Sequence, residues 1–238
     1  MARRTIRHSP FTTRDSLVML PRTLEPEVMD SADEARDYDA MDHGAVNRAF
    51  AADFLAIWDG LNPILDVGTG TAQIPIELCR QAPSARVTGI DLAEYMLHVG
   101  QQNVERAGLA DRICLQRCDA KHAPFADGPF AAVISNSIVH HIPEPAAVLA
   151  EMVRLARPGG LLFVRDLLRP ADEATLAHLV AAYAGNANAH QQKMFDDSLR
   201  AALTLTEIRE LVGDLGFDPA TVRQTTDRHW TWAARKPG

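Results

Sequence analysis

Apolar residues recur with two different periods along this chain, and the change of period divides it. Ser31 and Glu34 form an S-x-x-E capping box that predicts a helix starting near Ala32. Gly44 breaks that helix, and a second one places Val46, Phe50, Phe54, Ile57 and Trp58 on one face. From Asn62 the pattern becomes short apolar runs alternating with helical segments. The run 64–67 ends at Gly68-Thr69-Gly70, and a helix follows from about Ala72 with Pro75 in its first turn, where a missing N–H costs little. Further strands are predicted over 86–90, 113–117, 130–135 and 161–167. Helices are predicted over 93–107, stopped by Gly108, and over 143–156, closed by Pro158-Gly159-Gly160.

Strands that are apolar on both faces and separated by helices imply a parallel sheet between two helical layers. The tail departs from that pattern. Helices about 172–184 and 190–202, and a third capped by Thr204 and Glu207, lead to Gly216. Two strands follow, about 220–226 and 229–235, and a connection so short permits only an antiparallel hairpin. Residues 1–30 contain three prolines and no periodicity and read as an N-terminal arm. The expected organisation is therefore that arm, two helices over 31–60, and one α/β domain over 61–238 with a helical segment at about 171–203.

The 238 residues suit one sizeable domain, and a net charge of −7 disfavours nucleic acid as the main partner. Cys79, Cys114 and Cys118 are odd in number and lack a C-x₂-C pairing, which argues against a disulfide framework and a zinc site. Reduced thiols point to the cytoplasm. No segment approaches the ~20 consecutive apolar residues of a membrane span, and the basic start has no apolar run behind it.

The chemistry concentrates at strand ends. Asp66-Val67-Gly68-Thr69-Gly70 sits at a strand-to-helix turn, where glycines let a ligand approach the main chain and the helix start offers unpaired N–H groups. Asp91 ends the second strand, where a carboxylate can accept from both hydroxyls of a ribose. Asp119, in Cys118-Asp119-Ala120 after the third strand, can accept from an adenine amine. All three lie at the carboxyl edge of one sheet, where open α/β folds bind ligands. Taken singly, each also reads as a turn or a cap.

In these features the sequence resembles the class I S-adenosylmethionine-dependent methyltransferases, close to the ubiquinone/menaquinone C-methyltransferase type. D-V-G-T-G at 66–70 resembles their first motif, and G-I-D-L at 89–92 the second. Cys118-Asp119-Ala120, the run 130–135 and the segment 155–161 (L-A-R-P-G-G-L) resemble the later ones. The resemblance covers roughly residues 45–167, with a looser match in the tail. It implies a Rossmann-like three-layer sandwich with seven strands in the order 3-2-1-4-5-7-6, the seventh antiparallel, and S-adenosylmethionine as cofactor. It implies a cofactor site that includes Asp66, in which Gly68 and Gly70 pass beside the methionine moiety and Asp91 holds the ribose. Leu92 packs on the adenine, Asp119 and Ala120 border it, Asn136 stands near the methionine end, and Tyr38 covers the cofactor.

On the acceptor side, His140 and His141 follow the fourth strand, where relatives present groups to the substrate, and one of them is a candidate base. The alternative is that the pair packs the site floor. Arg165 and Asp166 at the end of the fifth strand, and Arg169 after it, are placed toward the same cleft, and His190 lies where relatives insert a variable cap, making Arg165 and His190 substrate candidates. No metal is expected. The favoured reading is methyl transfer to a small-molecule acceptor, with a homodimer as one state of assembly. Two readings stand beside it: a methyltransferase acting on RNA or protein, and a non-catalytic cofactor-binding domain. A dinucleotide dehydrogenase is disfavoured because Gln73 occupies the place of the third glycine.

Overall fold

The computed structural model describes residues 19–25, 31–41 and 43–238, so most of the expected arm (1–18 and 26–30) lies outside the described residues. Two helices, α1 (Ala32–Ala40) and α2 (Gly44–Leu55), come first, and the Ser31 side chain accepts from the Glu34 N–H as the capping box requires. Alternating units follow: β1 (Ile64–Val67), α3 (Gln73–Gln81), β2 (Val87–Asp91), α4 (Glu94–Arg106), β3 (Ile113–Arg117) and β4 (Phe130–Asn136). A single 3-10 turn, Val139–His141, leads to α5 (Pro145–Leu155) and the long β5 (Ala156–Leu167). The tail is α6 (Glu173–Ala184), α7 (Ala189–Ala201), α8 (Leu205–Asp214), β6 (Val222–Gln224) and β7 (His229–Arg235).

The strands form one sheet in the order β3-β2-β1-β4-β5-β7-β6. β1 to β5 pair in parallel, while β7 runs antiparallel to both β5 and β6. This is the order expected from five βα units and a closing strand pair. Strand alternation sorts the core into two layers. Leu65, Val67, Val133, Leu162, Val164, Trp230 and Trp232 pack with α5 and α8 on one face. Ile64, Ala132, Ile134, Leu161 and Phe163 pack on the other with Phe50 and Phe54 of α2 and Ile74, Ile76 and Leu78 of α3. Burying each large side chain stabilises the fold by about 1.5–3 kcal/mol, which is why a short strand such as β1 is buried at every position.

Three boundaries differ appreciably from the sequence expectation. α2 stops at Leu55, so Ile57 and Trp58 lie beyond the helix whose face they were expected to share. β5 begins at Ala156 rather than 161, because Ala156 already pairs with Phe130 and the register shifts before Ala132 pairs with Leu161. The Pro158-Gly159-Gly160 segment is thus an irregularity within the strand rather than its leading turn. A Cβ at Gly160 would stand 2.8 Å from the Arg157 carbonyl, so glycine is required there. β6 is shorter than 220–226, since Pro219–Thr221 forms a 3-10 turn instead.

Candidate functional site

The glycine loop leaves β1 with Gly68 at φ +74 and Gly70 at φ +52, and Ala72 is left-handed as well at φ 63. At Gly68 an added Cβ would lie 2.2 Å from Ile138 Cγ2, so this position is filled from the β4 side. At Gly70 the nearest atom to such a Cβ is Tyr38 Cε1 at 3.9 Å, which leaves the main chain open beneath the tyrosine ring. Asp91 at the end of β2 holds the loop in place. Its Oδ2 accepts from the Gly70 N–H at 2.8 Å and its Oδ1 from the Ala93 N–H at 2.9 Å. Each oxygen keeps a lone pair for a further donor.

These groups border a cleft of about 800 Å³, counting its open mouth. Tyr38, Gly68, Gly70, Asp91, Leu92, Asp119, Ala120, Asn136 and His141 all line it, together with Ser137 and Ile138. Of the residues expected to hold a cofactor, Asp66 alone lies behind the lining, 1% exposed at the end of β1. Burial, with the negative charge of Asp91 adding to it, pushes the Asp66 pKa up to about 7. The same two carboxylates and Asp39 act with burial to push the Tyr38 phenol to about 12. Tyr38 is carried over the loop by α1, whose Ala35 packs on Ala93 and Met96 of the β2–α4 segment. At the outer end, Asp119 is held below the usual carboxylate range, first by the Lys121 N–H and then by the Lys121 ammonium, 3.1 Å away.

Three features show what kind of ligand fits. Among the described residues, Asn136 Oδ1 in the lining and Asp66 Oδ2 behind it are buried without a hydrogen-bond partner, which leaves both with acceptor capacity. The open main chain at Gly70 takes an extended polar group. The Asp91 carboxylate, with a lone pair left on each oxygen, has the capacity to accept from a diol. A nucleoside carrying a cationic amino-acid tail satisfies all three, so the residues present fit S-adenosylmethionine.

The far end of the cleft is made by the 3-10 turn. Ser137, entering it, has φ 59, an uncommon conformation for a residue with a side chain. His141 faces the cleft, whereas His140 turns inward and is 3% exposed. His140 Nδ1–H donates to Asp166 Oδ1 at 2.6 Å. Asp166 also accepts from the N–H groups of Val139 and Leu167, each at 2.6 Å, so β5 fixes the turn. Burial acts to lower the His140 pKa, but Asp166, by charge and by hydrogen bond, and Glu25 outweigh it and hold it above the usual value. For His141, burial and the neighbouring His140 prevail and hold the imidazole below its usual value.

The two substrate candidates stand elsewhere. Arg165 lies on the opposite face of β5 from Asp166; it donates to Thr231 Oγ1 at 2.9 Å and pairs with Asp53 of α2 at 2.7 Å. His190 is exposed on α7. Neither lines the cleft. Glu25, which sequence reasoning did not single out, comes within 3.1 Å of His141 Nδ1 and 3.5 Å of His140 Nε2. No local pattern announces it, because the chain around it has no period.

Comparison with known proteins bears on the family and the fold. Residues 64–160 match the family described as Methyltransferase domain. Demethylmenaquinone methyltransferase of Porphyromonas gingivalis is 38% identical over 108 residues, covering 45% of this chain and 44% of that protein. 27-O-demethylrifamycin SV methyltransferase of Amycolatopsis mediterranei is 28% identical over 176 residues, 73% of this chain and 61% of that protein. The chain thus spans about half the length of these relatives. Among solved structures, a SAM-dependent methyltransferase from Aquifex aeolicus superposes with a TM-score of 0.61 at 16% identity, covering 87% of this chain and 98% of that one. That likeness shows the shared fold.

Proposed function

We propose that this chain, which carries a methyltransferase domain over residues 64–160, is a class I S-adenosylmethionine-dependent methyltransferase and transfers the methyl group of S-adenosylmethionine to a small-molecule acceptor. One observation carries this reading: the Asp91 carboxylate, the open main chain at Gly70 and the Asn136 amide oxygen border one cleft, with the buried Asp66 carboxyl behind its lining. In it Asp91 holds the ribose hydroxyls, Leu92 packs on the adenine and Asp119 receives its amine. Asp66 and Asn136 receive the amino-acid end, under Tyr38. When bound, S-adenosylmethionine supplies an electrophilic methyl on sulfur, which an acceptor lone pair takes as the carbon–sulfur pair returns to sulfur.

The residues of the chain have little covalent work to do. Their task is alignment, which in fully oriented reactants supplies about 7–11 kcal/mol of the barrier reduction. The Tyr38 ring and the Ile138 side chain close the cleft from either side and limit water around the reacting atoms. The inward His140–Asp166 pair holds the turn, so that His141 meets the acceptor at the mouth.

A small acceptor is favoured by a net charge of −7, which suits neither RNA nor DNA. Among the described residues no helix is long and apolar enough to cross a membrane. The three free cysteines suit a reducing cytoplasm. Homodimer formation is checked by light scattering. The function itself is tested by incubating the protein with S-adenosylmethionine and pools of hydroxylated, aminated and quinoid metabolites. Acceptor-dependent release of S-adenosylhomocysteine supports the reading. Tight donor binding with no release across all pools would make the chain a cofactor-binding domain instead.

A further inference from the structure

Residues 19–25 form a strap that crosses from the helical tail to the mouth of the cleft. Leu20 anchors it in a cluster with Leu167, Leu176, Leu179 and Leu199. The Arg22 guanidinium is its rivet: it donates to the Ala201 carbonyl at 2.7 Å and to the carbonyls of His140 and Ile142 at 3.1 and 3.0 Å. One side chain thereby ties the end of α7 to the histidine turn. Three residues later the strap delivers Glu25, whose Oε2 accepts from Ser198 Oγ at 3.3 Å.

The other oxygen is the informative one. Glu25 Oε1 lies 3.1 Å from His141 Nδ1, yet both atoms are buried and, among the described residues, neither has a completed hydrogen bond. Two polar atoms desolvated face to face in this way weaken folding unless they are used. A small rotation of either side chain completes the bond. It would fix the ring with Nδ1–H on the carboxylate and Nε2 as the remaining basic nitrogen.

We propose that Glu25 is a positioning residue of the acceptor end: it orients His141 so that the imidazole takes the proton of an O–H acceptor as that oxygen is methylated. The inference rests on the methyl-transfer reading above. The proton leaves the acceptor oxygen as its electron pair becomes committed to carbon, arrives on the imidazole, and passes to solvent when the cleft opens. Glu25 balances the transient imidazolium. The charged and titratable groups facing His141 are Glu25 from the strap, His140 in the same turn, Asp166 from β5 and Asp91 at the end of β2.

Glu25, His140 and His141 also present ligand atoms within 4.8 Å of one another, the spacing of a metal site. Ring geometry argues against that use. The two imidazoles lie 4.1 Å apart and are tilted by only 35°, a near-stacked pair, and His140 already commits Nδ1 to Asp166.

The test uses the full chain labelled with ¹⁵N-histidine, as the unaltered protein and as Glu25→Gln and Glu25→Ala, saturated with S-adenosylhomocysteine. Imidazole nitrogen shifts are followed from about pH 5 to 9. The expected result is a His141 that carries its proton on Nδ1, a midpoint lowered by roughly one pH unit or more in Glu25→Gln, and a mixed tautomer in Glu25→Ala. S-adenosylhomocysteine affinity stays within about two-fold. Identical His141 titration and tautomer in all three proteins would overturn the proposal. So would one equivalent of Zn²⁺ binding to the unaltered protein and shifting both imidazoles together. With a panel of phenols as probe acceptors, Glu25→Gln lowers kcat by roughly ten-fold or more and leaves KM within about three-fold; equal kcat would overturn the proposal, and if no phenol is methylated the imidazole data decide. Failure of the unaltered protein to bind S-adenosylhomocysteine would refute the methyl-transfer reading instead, and the same titration without it would still judge the Glu25–His141 pair.

Discussion

His140 and Asp166 form a buried ion pair, Nδ1 to Oδ1 at 2.6 Å, that joins the turn after β4 to the end of β5. Burial opposes charge on both groups, but each partner outweighs it for the other, so His140 is raised and Asp166 is lowered. The contribution of Asp166 is present above the unfolded carboxyl value and lost as pH falls through its depressed folded value. That of His140 is present below the unfolded imidazole value and lost as pH rises through its raised folded value. Both are complete between about pH 4 and 6.5.

Asp166→Ala leaves His140 buried without its partner and should destabilise the fold by about 3–5 kcal/mol in that window. Urea unfolding of both proteins from about pH 4 to 9 checks this. The gap between them should narrow above neutrality as His140 loses its proton. A gap that is constant across the range would show that the pair is not ionised.

If Asp66 faces the amino-acid end of the cofactor as proposed, donor binding should depend on pH. Its pKa, pushed to about 7 chiefly by burial, leaves the carboxyl largely protonated in mildly acidic solution. A raised folded value contributes stability below the unfolded value that is lost as pH rises through about 7. A cationic ligand wants the ionised form, so S-adenosylmethionine affinity should rise by up to about ten-fold per pH unit below 7 and level off above it. In Asp66→Asn the profile should be flat. A slope that survives the substitution would assign the titration to another group.

Gly68→Ala tests the packing of the glycine loop. The new Cβ would fall 2.2 Å from Ile138 Cγ2 and would sit at φ +74, so two penalties combine. Overpacking costs about 1–3 kcal/mol and the backbone strain about 1–2 more. Ile138→Ala in the same chain should recover the first and leave the second. Thermal unfolding of the single and double variants separates them, and simple additivity would mean that the two residues do not touch.

Much of this was legible before the structure. β7 falls where its run places it, because its first four positions are buried; β3 also falls in place, although it is an edge strand exposed at Cys114, Gln116 and Arg117. The start of β5 did not, since Pro158-Gly159-Gly160 reads as a terminator although it lies inside the strand. The alternation of β5 also carries a message that residue type alone hides. Arg165 and Asp166 are adjacent and therefore point to opposite faces, one to α2 and the other to His140. Glu25 was out of reach altogether: its partners are distant in sequence, and only the strap brings them together.

The central claim is that this cleft holds S-adenosylmethionine through Asp91, and calorimetric titration with S-adenosylhomocysteine tests it most directly. Asp91 offers a lone pair on each oxygen to the ribose while its other bonds hold Gly70 and Ala93. Losing two hydrogen bonds to an ionised acceptor costs roughly 2–4 kcal/mol. The account predicts one site per chain, binding weakened about thirty-fold or more in folded Asp91→Ala, and no competition by NAD. Undiminished affinity in that variant, or an unaltered protein that prefers NAD, would contradict it.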